Sequence, residues 1–446
     1  MKKIAIVGNS LMSIAAIEEI RSVDQESKIT LFCPEGILPY DRVRLPSVLS
    51  EQISLEDIYC KAQSYFDEKR VNVVLNKKIV KVHPKRKRVV FEDKEQEPFD
   101  VLMIEDSGSF EPSGAKSAKK QGVFTLYAVS DIEEISKAAP LCDVIVIQPN
   151  NLLMLEAAVY LRKFNKEVIV VCSDDSLLSS VVGKSAGDFL AKRLREFGIR
   201  VILNNAIAEV LGESEAKAIR LKTGKVLESQ VIILGEVKKN LLLLSIDETL
   251  VERNDFYTKF EDIFINSAIE ILSKEQAVED VKASDLSLGD KGKMVGAAVT
   301  GHQQSYQQAF KKVIFSLGDL KGCVLGSLEN ENAIEYERID RPSKTYKKIF
   351  VADNVITGAV LINLDQEVAQ IEDVVKNKIN ISQLSSHVLE LDQSNEPAQQ
   401  NSFQSNSLLE TEQIPAVDKQ QNPVDMVASS DISEVRIEDS APSAEY

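Results

Sequence analysis

The stretch KIAIVGNSLMSIAAIEEIRSVDQESKITLFC (Lys3–Cys33) decides the fold class. The aliphatic run Lys3–Val7 predicts a buried strand, the run Leu11–Arg21 predicts a helix, and Lys28–Cys33 predicts a second strand. A strand, a helix and a strand within about thirty residues make a βαβ unit, whose two strands lie parallel in one sheet. The N-terminal part is therefore predicted to be an α/β domain.

A second stretch, VIVIQPNNLLMLEAA (Val144–Ala158), lies inside a copy of the same plan. The same patterns predict a strand at Asp143–Ile147, a helix at Leu152–Phe164 and a strand at Glu167–Val171. This duplication predicts two doubly wound domains, each with a parallel sheet.

The C-terminal third of the sequence has a different pattern. Between Lys321 and Asn380, the strands GCVLGSLE, KKIFVAD and TGAVLINL precede a helix through QEVAQIEDVVKN, which predicts a small α/β domain. Val388–Tyr446 has twelve Asp and Glu against two Lys and Arg, and no glycine. A segment of this composition is expected to be disordered in isolation.

The composition limits the function classes. The net charge of −16 argues against nucleic acid as a partner. No apolar run is long enough to span a membrane and no cleavable signal is recognised, so we expect a cytoplasmic protein without membrane contact. Three well-separated histidines predict no metal cluster, and the odd number of scattered cysteines favours buried thiols over disulphides or a CxxC site (Cys33, Cys60, Cys142, Cys172 and Cys323).

Several segments, in the same order, resemble one enzyme family. LPYDRVRLPSVLS (Leu38–Ser50), GVFTLYAVSDIEEI (Gly122–Ile135), LEAAVYLRKFNKEVIVV (Leu155–Val171) and YKKIFVADNVITGAVLIN (Tyr346–Asn363) are similar to segments of FAD-dependent pyridine nucleotide-disulphide oxidoreductases. Within that superfamily, the chain resembles the NADH:rubredoxin reductases and the N-terminal part of nitrite reductase large subunits. The resemblance implies FAD in the first domain, reduction by NAD(P)H, and electron transfer to a protein partner.

The resemblance also implies the architecture. We expect two Rossmann-like three-layer FAD/NAD(P)-binding domains of the glutathione-reductase type, a small C-terminal α/β interface domain and a disordered acidic tail. The predicted boundaries are 1–112 with 245–315 for the discontinuous FAD-binding-type domain, 113–244 for the NAD(P)-binding-type domain, 316–384 for the interface domain and 385–446 for the tail.

The first nucleotide motif is incomplete. The family pattern G-x-G-x-x-G/A provides a tight turn and close backbone approach to a pyrophosphate, and here it corresponds to Gly8-Asn9-Ser10-Leu11-Met12-Ser13. The resemblance places Glu35 at the adenosine ribose, Arg42 near the flavin nucleotide and Ile79 at the adenine. The candidate cofactor-binding residues are therefore Gly8, Ser10, Ser13, Glu35, Arg42 and Ile79. The alternative is a serine-capped turn without a ligand, with Glu35 as a solvated loop charge.

Two further flavin motifs have lost their key residues. Glu105-Asp106-Ser107 stands where the family has Ala-Thr-Gly, and either forms an acid/base pair or, as we favour, a solvent-facing turn. Ser267-Ala268 replaces the glycine and aspartate of the second motif. FAD is therefore expected to bind weakly or not at all.

The second βαβ turn departs further from the family. Gln148-Pro149-Asn150-Asn151 has no glycine, and Cys172 stands at the position of the ribose-binding carboxylate, so NAD(P) is not expected to bind. Glycine is also scarce overall, with 19 of 446 residues. The segment LPSVLSEQIS lacks the redox cysteines of the family and Cys60 is predicted to be a packing residue, so no catalytic residue is assigned.

Two functions are consistent with these features. One is an oxidoreductase with degraded cofactor motifs that binds FAD weakly at most and passes electrons to a protein. The other is a non-catalytic pseudoenzyme that acts as a scaffold or regulatory subunit, with a partner-binding acidic tail. The sequence leaves open whether the chain is an enzyme and whether it forms a homodimer.

Overall fold

The structure is a computed structural model, and it describes residues 1–106, 109–111, 115–116, 118–164, 166–238, 260–267, 287–301, 312–328 and 332–384. These residues all belong to one compact unit, Met1–Asp392. The predicted disordered tail at 385–446 lies outside the described residues, as does Ala268 of the second flavin motif.

The first sheet contains the N-terminal βαβ unit. All of its neighbouring strands are parallel, with Ile4 opposite Ile29 and Val7 opposite Phe32. Across the sheet, the strands are β18 (Ile263–Ser267), β7 (Val101–Asp106), β1 (Lys3–Val7), β2 (Lys28–Cys33) and β3 (Val71–Leu75).

Two helices pack tightly against each other beside this sheet. Helix α1 (Leu11–Val23) follows β1, and α8 (Leu288–Thr300) lies against it. A β-carbon on Gly292 would overlap the backbone carbonyl oxygen of Met12, and one on Gly296 would lie 2.8 Å from that of Ala16. The two glycines of α8 therefore allow the helix backbones to approach closely.

Shorter elements complete this part of the chain. In the chain, helices α2 (Leu45–Leu49) and α3 (Gln63–Glu68) follow β2 and precede β3, and α2 contains Pro46. Three antiparallel strands form a small separate sheet, and they are β4 (Ile79–His83), β5 (Arg88–Phe91) and β6 (Gln96–Pro98). Single 3₁₀ turns lie at Arg42–Arg44, Glu56–Ile58 and Pro84–Arg86.

The second parallel sheet contains the second βαβ unit. Across the sheet, its strands are β12 (Arg200–Ile202), β11 (Glu167–Val171), β10 (Val144–Ile147), β16 (Val231–Ile233) and β9 (Val123–Phe124). Its helices are α4 (Val129–Ala138), α5 (Leu152–Leu161), α6 (Ser179–Val182) and α7 (Lys184–Glu196). Further 3₁₀ turns lie at Ala139–Leu141 and Arg162–Phe164. An antiparallel sheet of β13 (Ile207–Leu211), β14 (Ala218–Leu221) and β15 (Val226–Glu228) lies beside it, and β8 (Ser109–Glu111) pairs with β17 (Glu236–Lys238).

The C-terminal part is an antiparallel sheet. Across the sheet, its strands are β19 (Lys312–Leu317), β20 (Leu320–Gly326), β23 (Val355–Ile362), β22 (Thr345–Ala352) and β21 (Ile334–Asp340). Helix α9 (Asp365–Lys376) packs on β20 and β23, and a 3₁₀ turn at Ile381–Gln383 follows. One hydrophobic core joins this sheet to the second parallel sheet, because Phe315 and Tyr346 belong to the same buried cluster as Ile145 and Leu155.

The predicted elements agree with the structure to within a few residues. Strands Lys3–Val7 and Lys28–Cys33 are confirmed at both ends. The helix predicted at Leu152–Phe164 ends at Leu161 and continues as a 3₁₀ turn. Strand β21 was not predicted, because an edge strand with most of its side chains exposed shows no apolar pattern.

Candidate functional site

The N-terminus of α1 is capped by its own serine. Ser10 is the N-cap residue, and its Oγ accepts a hydrogen bond from the Met12 amide at 3.1 Å. The side chain is buried at 2% exposure. The Ser10 cap, one of the two roles that the sequence left open for this residue, is therefore present, and one of the free amides of this helix N-terminus is already bonded within the chain.

The carboxylate of Glu105 lies beside the turn that joins β1 to α1. Ser13 Oγ donates a hydrogen bond to Glu105 Oε2 at 2.7 Å, and both residues are buried. A β-carbon on Gly8 would overlap the Ser13 hydroxyl and the Glu105 carboxylate, and would lie 2.9 Å from Glu105 Cβ. The bare α-carbon of Gly8 thus faces two side chains of the chain itself.

The prediction of a solvent-facing turn is wrong for Glu105. Strand β7 continues to Asp106, and Glu105 is only 5% exposed. The strand extends past its aliphatic run because β18 pairs with it, with Asn266 opposite Glu105. The apolar residues of this strand stop at Ile104, so the sequence pattern gave no sign that Glu105 is buried within the strand.

The turn residue Asn9 binds the loop that follows β2. Its Nδ2 donates to the carbonyl oxygens of Ile37 and Leu38 at 3.2 and 3.3 Å. Its Oδ1 is buried without a hydrogen-bond partner among the described residues. This unpaired atom is an acceptor, and a phosphate oxygen is also an acceptor, so Asn9 Oδ1 does not fit a bound phosphate.

Glu35 and Arg42 are paired with each other. Arg42 forms an ion pair with Glu35, and the Tyr40 hydroxyl donates to the second oxygen of that carboxylate at 2.6 Å. Arg42 also donates to the Tyr40 hydroxyl at 2.7 Å and to the Tyr127 carbonyl oxygen at 3.0 Å. Its guanidinium lies over both tyrosine rings, at 4.9 and 4.3 Å from the centroids.

The positive charge of Arg42 is balanced within this cluster by the carboxylate of Glu35. Burial favours the neutral form of Arg42, but Tyr127, Tyr40 and Glu35 together raise its pKa above the usual value. The structure thus brings two of the predicted site residues together, and both bind the chain itself. Ile79 lies elsewhere, half-buried at the start of β4, where it pairs with Phe91. The cofactor-binding roles of all six candidate residues stay predictions.

The turn of the second βαβ unit is held by amide side chains. Gln148 Oε1 accepts from the Ile207 amide at 2.7 Å, which links the end of β10 to β13. Asn150 Nδ2 donates to the Gly235 carbonyl oxygen at 2.7 Å, just beyond β16. Asn151 caps α5 by accepting from the Met154 amide at 3.0 Å, and its Nδ2 donates to Asn150 Oδ1 at 2.9 Å.

This network lies where doubly wound sheets bind ligands. In such folds a dinucleotide lies across the carboxyl ends of the strands, and the glycine turn lets the backbone approach the pyrophosphate. Here the Asn150 side chain crosses from the turn after β10 to the segment after β16. Cys172, at the end of β11, is buried at 4% exposure.

The thiols near the first turn are not activated. Burial, reinforced by the negative charge of Glu105, raises the pKa of Cys33 to about 12. Burial and the nearby Asp41 and Glu105 raise the pKa of Cys60 to about 12, which agrees with the predicted packing role. All five cysteines are free thiols, and the four besides Cys60 are buried.

The sequence reasoning did not identify Glu156, a buried carboxyl on α5. Its side chain is 5% exposed, and the Tyr160 hydroxyl donates to it at 3.1 Å. Burial raises its pKa to about 7. Helix α5 packs against α2 and β19, so this acid lies where three parts of the fold meet. The signal in the sequence is one acidic residue within the apolar run LLMLEAAV.

A separate cavity of about 450 Å³ lies between the start of α7 and the C-terminal sheet. Both lysines of its lining are already paired, because Lys348 binds Glu335 at 2.7 Å and Lys184 binds Asp175. Among the described residues, no group of His, Cys, Asp and Glu is arranged to hold a metal ion. None of the helices that the structure describes is long and apolar enough to cross a membrane.

Two curated proteins are similar to this chain in sequence. Nitrite reductase [NAD(P)H] of Bacillus subtilis is 23% identical over 86% of this chain and 48% of its own length. The assimilatory nitrate reductase electron transfer subunit of the same organism is 22% identical over 87% of this chain and 51% of its own length. The chain therefore spans about half the length of these relatives.

Solved structures agree on the fold. The covalent putidaredoxin reductase–putidaredoxin complex matches with a TM-score of 0.73 and 15% identity, over 85% of this chain and 94% of that chain. The NAD-dependent persulfide reductase of A. fulgidus matches with a TM-score of 0.73 and 17% identity, over 89% and 80%. The predicted α/β fold with two Rossmann-like parts and a small C-terminal domain is confirmed.

Two protein families match parts of this chain, in agreement with the sequence relatives and the solved structures. The rubredoxin NAD⁺ reductase C-terminal domain matches residues 314–379, which contain the antiparallel sheet. The pyridine nucleotide-disulphide oxidoreductase family matches residues 2–255, which contain both βαβ turns. The chain belongs to the pyridine nucleotide-disulphide oxidoreductase family.

Proposed function

We propose that this chain is a non-catalytic member of its family, which keeps the reductase fold as a protein-binding scaffold or regulatory subunit and does not oxidise NAD(P)H. The observation that carries the proposal is the hydrogen-bonded amide network in the turn of residues 148–151. Each of its hydrogen bonds joins two groups of the chain itself.

The network opposes a pyridine nucleotide in two ways. Side chains stand where the backbone has to approach a pyrophosphate, and Pro149 removes an amide donor from the turn. Opening the turn would break three hydrogen bonds, which join Gln148 to the Ile207 amide, Asn150 to the Gly235 carbonyl oxygen and Asn151 to Asn150. At about 1 kcal/mol each, these bonds would weaken binding by about 3 kcal/mol, or more than 100-fold.

The first site does not fit a tightly held FAD. Ser10 is bonded to its own helix, Asn9 offers an acceptor, and Glu35 and Arg42 neutralise each other. FAD bound in this family's first domain would supply a hydride acceptor and an electron donor to a partner. The Ser10 cap occupies one amide donor at that turn, and neither nearby thiol is activated, since burial raises the pKa of both Cys33 and Cys60 to about 12.

The proposed role requires a protein partner. Support comes from one relative named as an electron transfer subunit and from the solved putidaredoxin reductase–putidaredoxin complex, in which a protein of this fold is bound to a second protein. This proposal includes the predicted domain limits, a homodimer and a partner-binding role for the acidic tail. The partner is expected to bind the folded chain whether or not nucleotides are present.

Visible absorbance of the purified protein tests the proposal. The protein is expected to be colourless, to stay so after incubation with FAD and removal of free flavin, and to show no NADH or NADPH oxidation with an artificial electron acceptor. An active flavoprotein of the same family, treated identically, is the positive control. A stoichiometric flavin that NADH or NADPH bleaches would overturn the proposal.

A second candidate is an electron-transfer flavoprotein that binds FAD weakly. It is favoured by the similarity to the assimilatory nitrate reductase electron transfer subunit, which extends over 87% of this chain. This candidate predicts saturable NADH oxidation that depends on added FAD. Absence of turnover at saturating FAD would eliminate it.

A further inference from the structure

Glu105 is positioned by the sheet to face the start of α1. The last pair between β1 and β7 joins Val7 to Ile104, so Glu105 follows directly beside the turn at Gly8. Its carboxylate accepts a hydrogen bond from Ser13, which is the third residue of α1. The first turn of α1 contains no acidic residue of its own, so β7 supplies a negative charge there.

The N-terminus of α1 stabilises a carboxylate in the same way that it would stabilise a phosphate. The N-terminus of a helix stabilises negative charge through its dipole and its unpaired amides. In doubly wound folds, the pyrophosphate of a dinucleotide binds at the N-terminus of the helix that follows the first strand. Glu105 provides the chain's own anion at that end of α1, and the Ser13 hydroxyl donates to it.

We propose that Glu105 is a built-in anion that takes the place of a dinucleotide pyrophosphate at the N-terminus of α1 and excludes FAD from the first site. This inference deepens the proposed function and rests on it for the absence of turnover, but it concerns one side chain and the first turn only.

Charge and volume both contribute to the exclusion. Glu105 is 95% buried, so water screens its charge poorly, and a pyrophosphate brought to the same helix end would meet a like charge. Burial is the main cause of the raised pKa of Cys33 and Cys60, and the nearby carboxylate of Glu105 adds to it in both. The side chain also fills the space beside the bare α-carbon of Gly8.

The retained glycine takes on a new role under this proposal. A β-carbon on Gly8 would overlap the Ser13 hydroxyl and the Glu105 carboxylate. Gly8 is therefore kept because these two side chains hydrogen-bond across it. The same close approach that glycine gives to a phosphate elsewhere is used here by a carboxylate.

Two substitutions separate charge from volume. Glu105→Gln keeps the size of the side chain and removes its charge, and Glu105→Ala removes both. Glu68→Ala, an exposed acid on α3, is the matched control. Because Glu105→Gln is isosteric, it decides the question if the alanine variant does not fold, and circular dichroism establishes folding for each variant.

Binding of ADP and of FAD to the full chain is measured by isothermal titration calorimetry. ADP reports on the pyrophosphate position without the flavin ring, and any binding at the second turn is common to all variants. We expect Kd for both ligands to fall at least tenfold in Glu105→Gln and further in Glu105→Ala, with Glu68→Ala unchanged.

The inference is overturned if the folded glutamine variant binds no more tightly than the unaltered chain, or if the unaltered chain already binds FAD as tightly as the variants. The proposed function has a separate readout, NAD(P)H turnover. Tighter flavin binding in the variants without turnover supports both statements, whereas turnover by the unaltered chain overturns the proposed function.

Discussion

Glu156 provides a pH-dependent test of how the three parts of the fold are joined. Its carboxyl is buried on α5, and burial raises its pKa from an ordinary value of 4.5 to about 7. The folded state therefore binds this proton more tightly than the unfolded state does. The resulting cost to stability is absent below pH ~4.5, grows as the pH rises towards 7, and is complete above about pH 7.

The size of the effect follows from the two pKa values. A difference of about 2.5 pH units is about 300-fold in proton affinity, or about 3 kcal/mol. Glutamine has the same size and does not ionise. Glu156→Gln is therefore expected to raise the free energy of unfolding by about 1 kcal/mol at pH 5 and about 3 kcal/mol at pH 8.

Urea denaturation of both proteins at pH 5, 6, 7 and 8 measures this difference. Glu134→Gln, an exposed acid on α4, is the control and is expected to give a small difference that does not change with pH. The reasoning is refuted if Glu156→Gln gives the same difference at every pH, or if the variant is less stable than the unaltered chain at pH 8.

The remaining predictions concern packing and buried hydrogen bonds, each measured by urea denaturation. Gly292→Ala is expected to cost about 2 kcal/mol because its β-carbon overlaps the backbone of α1, whereas Gly289→Ala, with its nearest neighbour at 3.8 Å, costs nothing; equal effects would contradict the close helix contact. Arg42→Ala is expected to cost about 3 kcal/mol by leaving a partly buried carboxylate unpaired, and the exposed Arg44→Ala under 1 kcal/mol. Asn150→Ala is expected to cost about 1 kcal/mol through the lost bond to a strand-end carbonyl, so an unchanged midpoint would argue against the network.

The sequence predicted both parallel sheets because buried parallel strands are continuous aliphatic runs, as in IAIV and VIVI. The small C-terminal domain was predicted without β19 and β21. Strand β21 is exposed along most of its length, and in β19 only Phe315 and Leu317 are buried while Ile314 is 61% exposed, so neither is a continuous buried run. Their pairing partners, distant in sequence, determine them.

The candidate site was predicted in part. Gly8, Ser10 and Ser13 were recognised because they lie at one turn, where local spacing is informative. Glu105 was recognised as a departure from a flavin motif, but its hydrogen bond to Ser13 was not predicted, because 92 residues separate the two. Glu35 and Arg42 were each identified, but their pairing requires the loop after β2 to fold back so that Tyr40 lies between them.

The sequence by itself determined the two βαβ units, their order, the partial loss of glycine from the first turn and its complete loss from the second, because these properties depend on residues close together in the chain. Only the tertiary structure decided what fills those turns. The carboxylate of Glu105 reaches the first turn through the pairing of β7 with β1, and Asn150 reaches the segment after β16 through the pairing of β10 with β16. Parallel pairing brings together strand ends that are far apart in sequence. The charged and polar side chains that surround a nucleotide site at those ends therefore depend on sheet topology and not on the turn alone.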